Sequence, residues 1–167
     1  EKIADCLYGE NAWQAPAAFY GNGAIDPLTL QNFRLVEGTP LSYNNWCDAD
    51  RLLQTLTHVA AALETNSGKV PKIAVAVKHG NPCGAAYGDE ANKVLENMIA
   101  GDPLAIMGGV VMTNFPIGAA EAETLASFKM EGAARPVKSA GADHGARRLL
   151  DVIIAPSFDA AARELLR

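Results

Sequence analysis

Lys78 and His79 stand side by side at the end of an apolar run that includes Ile73, Val75 and Val77. A histidine with an ordinary pKa of about 6.5 moves protons at neutral pH. A neighbouring lysine can stabilise a developing negative charge or hold an anion. Gly80, Asn81, Pro82, Cys83 and Gly84 follow, and this composition predicts a loop able to bring backbone N–H groups close to a ligand. Adjacent strand residues point to opposite faces, but where a strand ends the backbone turns, so both side chains can reach one pocket. The chemistry on offer is proton transfer beside anion stabilisation. A solvated lysine next to a core-capping histidine is the plainer reading of such a pair; its place between a buried strand and an Asn-Pro-Cys-Gly loop favours catalysis.

Other reactive residues offer less. Pro82-Cys83 shares the Pro-Cys element of zinc deaminases, whose motif also needs His/Cys-x-Glu and Pro-Cys-x-x-Cys. Ala86 occupies the position three beyond Cys83, and no glutamate lies two residues after His79. A zinc deaminase relative is therefore disfavoured, and Cys83 reads as a small packed side chain. Leu7 through Asn11 reads as a surface turn. Asp102-Pro103 through Gly108-Gly109 could supply amides to a phosphate or carboxamide, although a strand bulge explains the glycines as well. His58 is accounted for by its place on or beside an apolar helix face, and His144 by solvent.

These residues need elements to position them. Ile73 to Val77 reads as a strand buried on both faces, and ligands bind where such strands leave an open α/β sheet. Before it, a helix begins near Asp48, taken as its N-cap, and carries Leu52, Leu53, Leu56, Val59, Ala60 and Leu63 at helical spacing. Asn66-Ser67-Gly68 ends that helix. Short strands are predicted at Ala17–Tyr20 and Phe33–Val36, with a polar loop over 41–45. A helix from Asp89 to Ala100 stops at Gly101. A strand follows over Ile106–Met112, then a helix over Ala119–Phe128, an exposed excursion over Lys129–Arg148, a strand at Val152–Ile154 entered through Asp151, and a final helix over Asp159–Leu166. Strands alternating with helices predict a largely parallel or mixed sheet with helices on its faces.

The bulk numbers fit one globular domain over 1–167. The chain is 49% hydrophobic and 20% charged, with 15 glycines. A net charge of −5 and a pI near 5.1 leave no electrostatic footprint for nucleic acid. No apolar run approaches the ~20 residues of a membrane span. Three cysteines without CxxC spacing suggest neither a disulfide framework nor a zinc set, and point to the reducing cytoplasm. Both ends read as cut, with no methionine at Glu1 and a helix still running at Arg167.

Five ordered motifs resemble the AICAR transformylase family, which formylates 5-aminoimidazole-4-carboxamide ribonucleotide (AICAR) in purine biosynthesis. Val77-Lys78-His79-Gly80-Asn81-Pro82-Cys83-Gly84 fits its Lys-His-x-Asn-Pro-Cys-Gly signature. Tyr8-Gly9-Glu10-Asn11 fits the centre of its Arg-Tyr-Gly-Glu-Asn-Pro-His-Gln segment, and Leu41-Ser42-Tyr43-Asn44-Asn45 its Leu-Ser-Tyr-Asn-Asn segment. Asp102-Pro103 with Gly108-Gly109, and Asp151 through Pro156, complete the set. The resemblance implies a cytidine-deaminase-like three-layer α/β/α sandwich without zinc. It implies Lys78 and His79 as the catalytic pair, Tyr8, Gly9, Gly108 and Asp151 as nucleotide contacts, and Asn81 near the formyl carbon. It further implies 10-formyltetrahydrofolate as cosubstrate, no metal, and a cytoplasmic homodimer.

Two departures bear on that reading: Leu7 replaces the family arginine before the tyrosine, and Ala12-Trp13 replaces Pro-His. The family domain is also about twice as long as this chain, so its second half is missing. The alternative reading is accordingly a non-catalytic nucleotide-binding lobe or relic that requires that half, and an isolated chain without turnover.

Overall fold

The computed structural model describes residues 1–23, 26–127 and 150–167; the excursion predicted over 129–148, with His144, lies outside them. Strands β1 (Lys2–Cys6) and β2 (Ala17–Tyr20) pair antiparallel as a separate two-stranded sheet. A 3-10 turn at Leu30–Asn32 stands close to where a strand is predicted over Phe33–Val36, and no strand forms there. Helix α1 (Tyr43–Ser67) leads into β3 (Lys72–Lys78), β4 (Asn81–Gly88), α2 (Ala91–Gly101), β5 (Gly109–Thr113), α3 (Ala119–Ser127), β6 (Leu150–Ile154) and α4 (Ala160–Leu166).

Helix α1 starts well before Asp48. Ser42 caps it: its hydroxyl accepts from the Asn45 amide at 3.2 Å, while the Asn45 side chain accepts from the Ser42 amide at 3.2 Å. This reciprocal box converts the polar stretch 41–45, predicted as loop, into a helix start. Gly68, at φ 73°, ends the helix in the left-handed conformation that glycine adopts most readily. Asp48 thus sits within the helix, in register with the buried Leu52 and Leu56.

The main sheet has the order β4-β3-β5-β6. Only β5 and β6 run parallel; β3 is antiparallel to both β4 and β5. The sheet is mixed, with one parallel pair of three, rather than largely parallel. The difference traces to β4. Its Asn-Pro-Cys-Gly start reads as loop, yet it forms an edge strand, where a proline is tolerated because one row of N–H groups needs no partner. Pairs Ala76↔Gly84 and Val77↔Pro82 leave Cys83 as an extra residue, a bulge. Once β4 has turned the chain back, α2 connects β4 to β5, two strands of the same direction with β3 between them.

Strand alternation sorts the core into two layers of contact. Ile73, Val75 and Val77 of β3 pack with Val110 and Met112 of β5 against Leu52 and Leu56 of α1. Ala74 and Ala76 face the other way with Val111, against Val94, Leu95, Met98 and Ile99 of α2, Leu125 of α3 and Ala162 of α4. Helices therefore cover both faces of the sheet. Each fully buried leucine or isoleucine contributes about 1.5–3 kcal/mol by leaving water. The alanines on the α2 side let that helix approach closely, and Gly84 permits more: a Cβ there would lie 2.6 Å from the Met98 carbonyl oxygen.

Candidate active site

The edge of the sheet where β3 ends is built by a two-residue hairpin. Lys78 closes β3, Asn81 opens β4, and His79 and Gly80 join them with φ of 51° and 75°. Two positive φ values are what a type I′ hairpin turn needs to match strand twist. Asn-Gly is the usual signal for that turn; His-Gly is not, so the hairpin was hidden. Among the described residues His79 is the one non-glycine residue at positive φ. Its side chain is exposed, and its position at the turn, rather than in a strand, frees the ring from the pleat that carries Lys78.

Lys78 goes elsewhere on the same edge. Its ammonium donates to the Met107 carbonyl, just before β5 begins. That segment reads as strand from Ile106 in the sequence, but it turns, and the strand starts at Gly109. Gly108, at φ 74°, is flanked by Asp151 and Lys78: a Cβ built on it would stand 3.9 Å from Asp151 Oδ1 and 3.9 Å from Lys78 Nζ. Gly109 is tighter, with the Ile106 and Val77 carbonyl oxygens 2.9 and 3.0 Å from such a carbon. Gly108 therefore leaves room between an ammonium and a carboxylate, while Gly109 lets the backbone pass close to two carbonyl oxygens. An ammonium has three donors, so Lys78 keeps two for another acceptor.

Asp151 lies inside β6 rather than before it. Asp151 is exposed as a residue, yet partial burial of its carboxyl pushes it above the usual aspartate range; Lys78 opposes this and the Asp48 charge adds to it. A carboxyl whose folded pKa is raised binds its proton more tightly in the native state. Its stabilising contribution is present at low pH and is lost as pH rises through the folded value. Asp151→Asn should therefore melt higher than the parent at pH 7, with the gap closing below the ordinary aspartate range. Thermal unfolding at pH 7 and pH 3 checks this, and a variant less stable at pH 7 would contradict it.

Tyr8 and Gly9 reach this end of the molecule through the start of α1. The Tyr43 amide donates to the Tyr8 carbonyl at 3.0 Å, the Leu7 amide to Leu41 at 2.9 Å, and the Asn44 side chain to Glu10 at 3.0 Å. Gly9 forms the predicted turn, its amide donating to Gln14 at 2.9 Å. Tyr8, Trp46 and Asp151 line one groove together with Arg34 and the exposed Leu7. Trp46 stacks on Phe19 at 4.7 Å between ring centroids and so joins the small sheet to α1.

The structure thus brings Lys78, Gly108 and Asp151 together, sets His79 on the adjoining turn with Asn81 opening β4 beside it, and puts Tyr8 in the groove that Asp151 also lines. Cys83 packs against the α2 side of the core, and burial pushes its thiol up despite Lys78. His58 is exposed, with Nδ1 2.6 Å from the Gln54 carbonyl oxygen, within its own helix. No three His, Cys, Asp or Glu side chains gather as metal ligands among the described residues. No helix is long and apolar enough to cross a membrane among them.

In the sequence Asp48 reads only as a helix cap. It is 6% exposed, and its carboxylate accepts from the Gly80 amide at 2.7 Å. The available signal was its spacing: positions 48, 52 and 56 form one helical stripe, and a carboxylate in register with two buried leucines needs a partner.

These features define a class, an α/β protein whose polar groups converge at one sheet edge, suited to holding an anion and moving a proton. The chain belongs to the AICARFT/IMPCHase bienzyme family, whose model matches residues 1–167. It is 34% identical over 166 residues to the bifunctional purine biosynthesis protein PurH of Oceanobacillus iheyensis, a match covering 99% of this chain and 26% of that protein. The chain thus spans about a quarter of the length of the curated relative it matches.

Proposed function

We propose that this chain carries the formyltransferase chemistry of its family, moving a formyl group from 10-formyltetrahydrofolate to the amine of AICAR. The observation that carries the reading is the meeting of the Lys78 ammonium, Gly108 and Asp151 beside the turn that presents His79. In this reading the substrate amine attacks the formyl carbon and a C–N bond forms. His79 takes the proton the amine loses. Lys78 stabilises the oxyanion with its remaining N–H donors, and the intermediate collapses by breaking the bond to the folate nitrogen, which receives the proton. Asn81 lies one residue beyond the turn, near the formyl carbon. Tyr8, Gly9, Gly108 and Asp151 hold the nucleotide. Helices on both faces of a mixed sheet support a cytidine-deaminase-like α/β/α sandwich, and we assign the working form as a cytoplasmic homodimer.

The test is formyl transfer by the natural polypeptide carrying these residues, with AICAR and 10-formyltetrahydrofolate, followed through tetrahydrofolate release. Release that requires AICAR and is lost in Lys78→Met supports the reading. Nucleotide that binds without ever being formylated would replace it with a binding lobe.

A further inference from the structure

The His79–Gly80 peptide is held at both of its polar ends. In a two-residue hairpin the inner peptide lies outside the strand ladder, so its N–H and C=O need partners of their own. The carbonyl of His79 accepts from the Asn81 side chain at 2.9 Å. The amide of Gly80 donates to Asp48 at 2.7 Å, across 32 residues of sequence and from a different layer of the fold. Asp48 is buried on the second turn of α1, between the Ser42–Asn45 cap and Leu52, which is fully buried. Its backbone is therefore anchored at both ends by structure that does not depend on the hairpin.

His79 needs such an anchor. A non-glycine residue at φ 51° is in a conformation disfavoured by its own Cβ, and it persists only where its surroundings over-determine it. Gly80, with nothing within 4 Å of a would-be Cβ, gets no packing support of its own. The exposed His79 ring gets none from a core either. What remains to define the ring's direction is the orientation of this one peptide.

From this geometry we infer that Asp48 is a positioning residue: through the Gly80 amide it locks the left-handed turn that presents His79 at the sheet edge where Lys78 ends β3. The inference rests on the formyltransferase reading for its effect on rate, but not for the clamp itself. It acts by accepting a hydrogen bond, so an amide in the same place should largely substitute for the carboxylate. A positioning error of about 1 Å costs on the order of 100-fold in rate.

The experiment compares Asp48→Ala with Asp48→Asn in the natural polypeptide, reading kcat and KM together with hydrogen exchange at the Gly80 amide. Alanine is expected to lower kcat by about 10- to 100-fold, with KM for the nucleotide held within a few-fold, and to remove Gly80 protection. Asparagine is expected to keep most of both. Because alanine suits a helix interior, loss of fold is not the expected result; if it occurs, the asparagine variant and a third, Asp48→Ser, carry the comparison. Wild-type rate with Asp48→Ala, or equal damage from asparagine and alanine, would overturn the proposal. Should the parent show no formyl transfer, the function assigned above fails alone. Gly80 exchange then decides for the clamp if protection falls only in Asp48→Ala, and against it if all variants match.

Discussion

His79→Ala should lower formyl transfer by about 10²- to 10⁴-fold, the usual contribution of a positioned acid–base group, while nucleotide affinity stays close to that of the parent. The split follows from where the ring sits. His79 is exposed on a turn, whereas the groups assigned to the nucleotide lie in the groove lined by Tyr8 and Asp151 and around Gly108. Removing the imidazole leaves those contacts untouched. Steady-state kinetics with AICAR and 10-formyltetrahydrofolate, together with calorimetric binding of AICAR, separate the two effects. Parent-level turnover in the variant would remove His79 from the mechanism. A loss confined to nucleotide affinity would move it into the binding site.

Among the described glycines, Gly84→Ala meets the closest backbone atom and should cost about 1–3 kcal/mol, at the upper end of that range. The new Cβ would stand 2.6 Å from the carbonyl oxygen of Met98. That atom belongs to the backbone of α2, which packs through Val94, Leu95, Met98 and Ile99 against the sheet, so it cannot yield as a side-chain end would. Gly80→Ala is the useful contrast, because its Cβ meets nothing within 4 Å and only the positive φ resists it. Urea unfolding of both variants checks the comparison. Equal midpoints for Gly84→Ala and the parent would show that α2 can slide off β4.

The hydrophobic elements were legible from sequence because period and composition agree there. β3, the body of α1, α2, α3, β6 and α4 all follow apolar spacing closely. What was lost was lost to polar residues doing structural work. Ser42 and Asn45 extend α1 through a reciprocal cap that resembles a loop in sequence. Asn81, Pro82 and Gly84 disguise an edge strand, and with it the antiparallel pairing of β3. β1, with exposed residues at Lys2, Ile3 and Asp5, has too little buried surface to announce a strand. Lys78 and His79 stood out by residue type and by their place after a buried run. Their separation, one in the pleat and one on a type I′ turn, depends on two positive φ values, of which residue type signals only that of Gly80. Asp48 was visible as a carboxylate in an apolar stripe, but its partner lies 32 residues away in another element, where local reading does not reach.

The proposed chemistry is the passage of a formyl group to an amine at the edge where β3 ends. The most direct measurement is a single-turnover reaction with isotopically labelled 10-formyltetrahydrofolate and AICAR, its nucleotide product analysed by mass spectrometry. Label is expected on the amine nitrogen of the nucleotide in step with tetrahydrofolate formation, with no transfer above the uncatalysed rate when Lys78 and His79 are both replaced. Label released as free formate, or transfer that survives the double replacement, would contradict it.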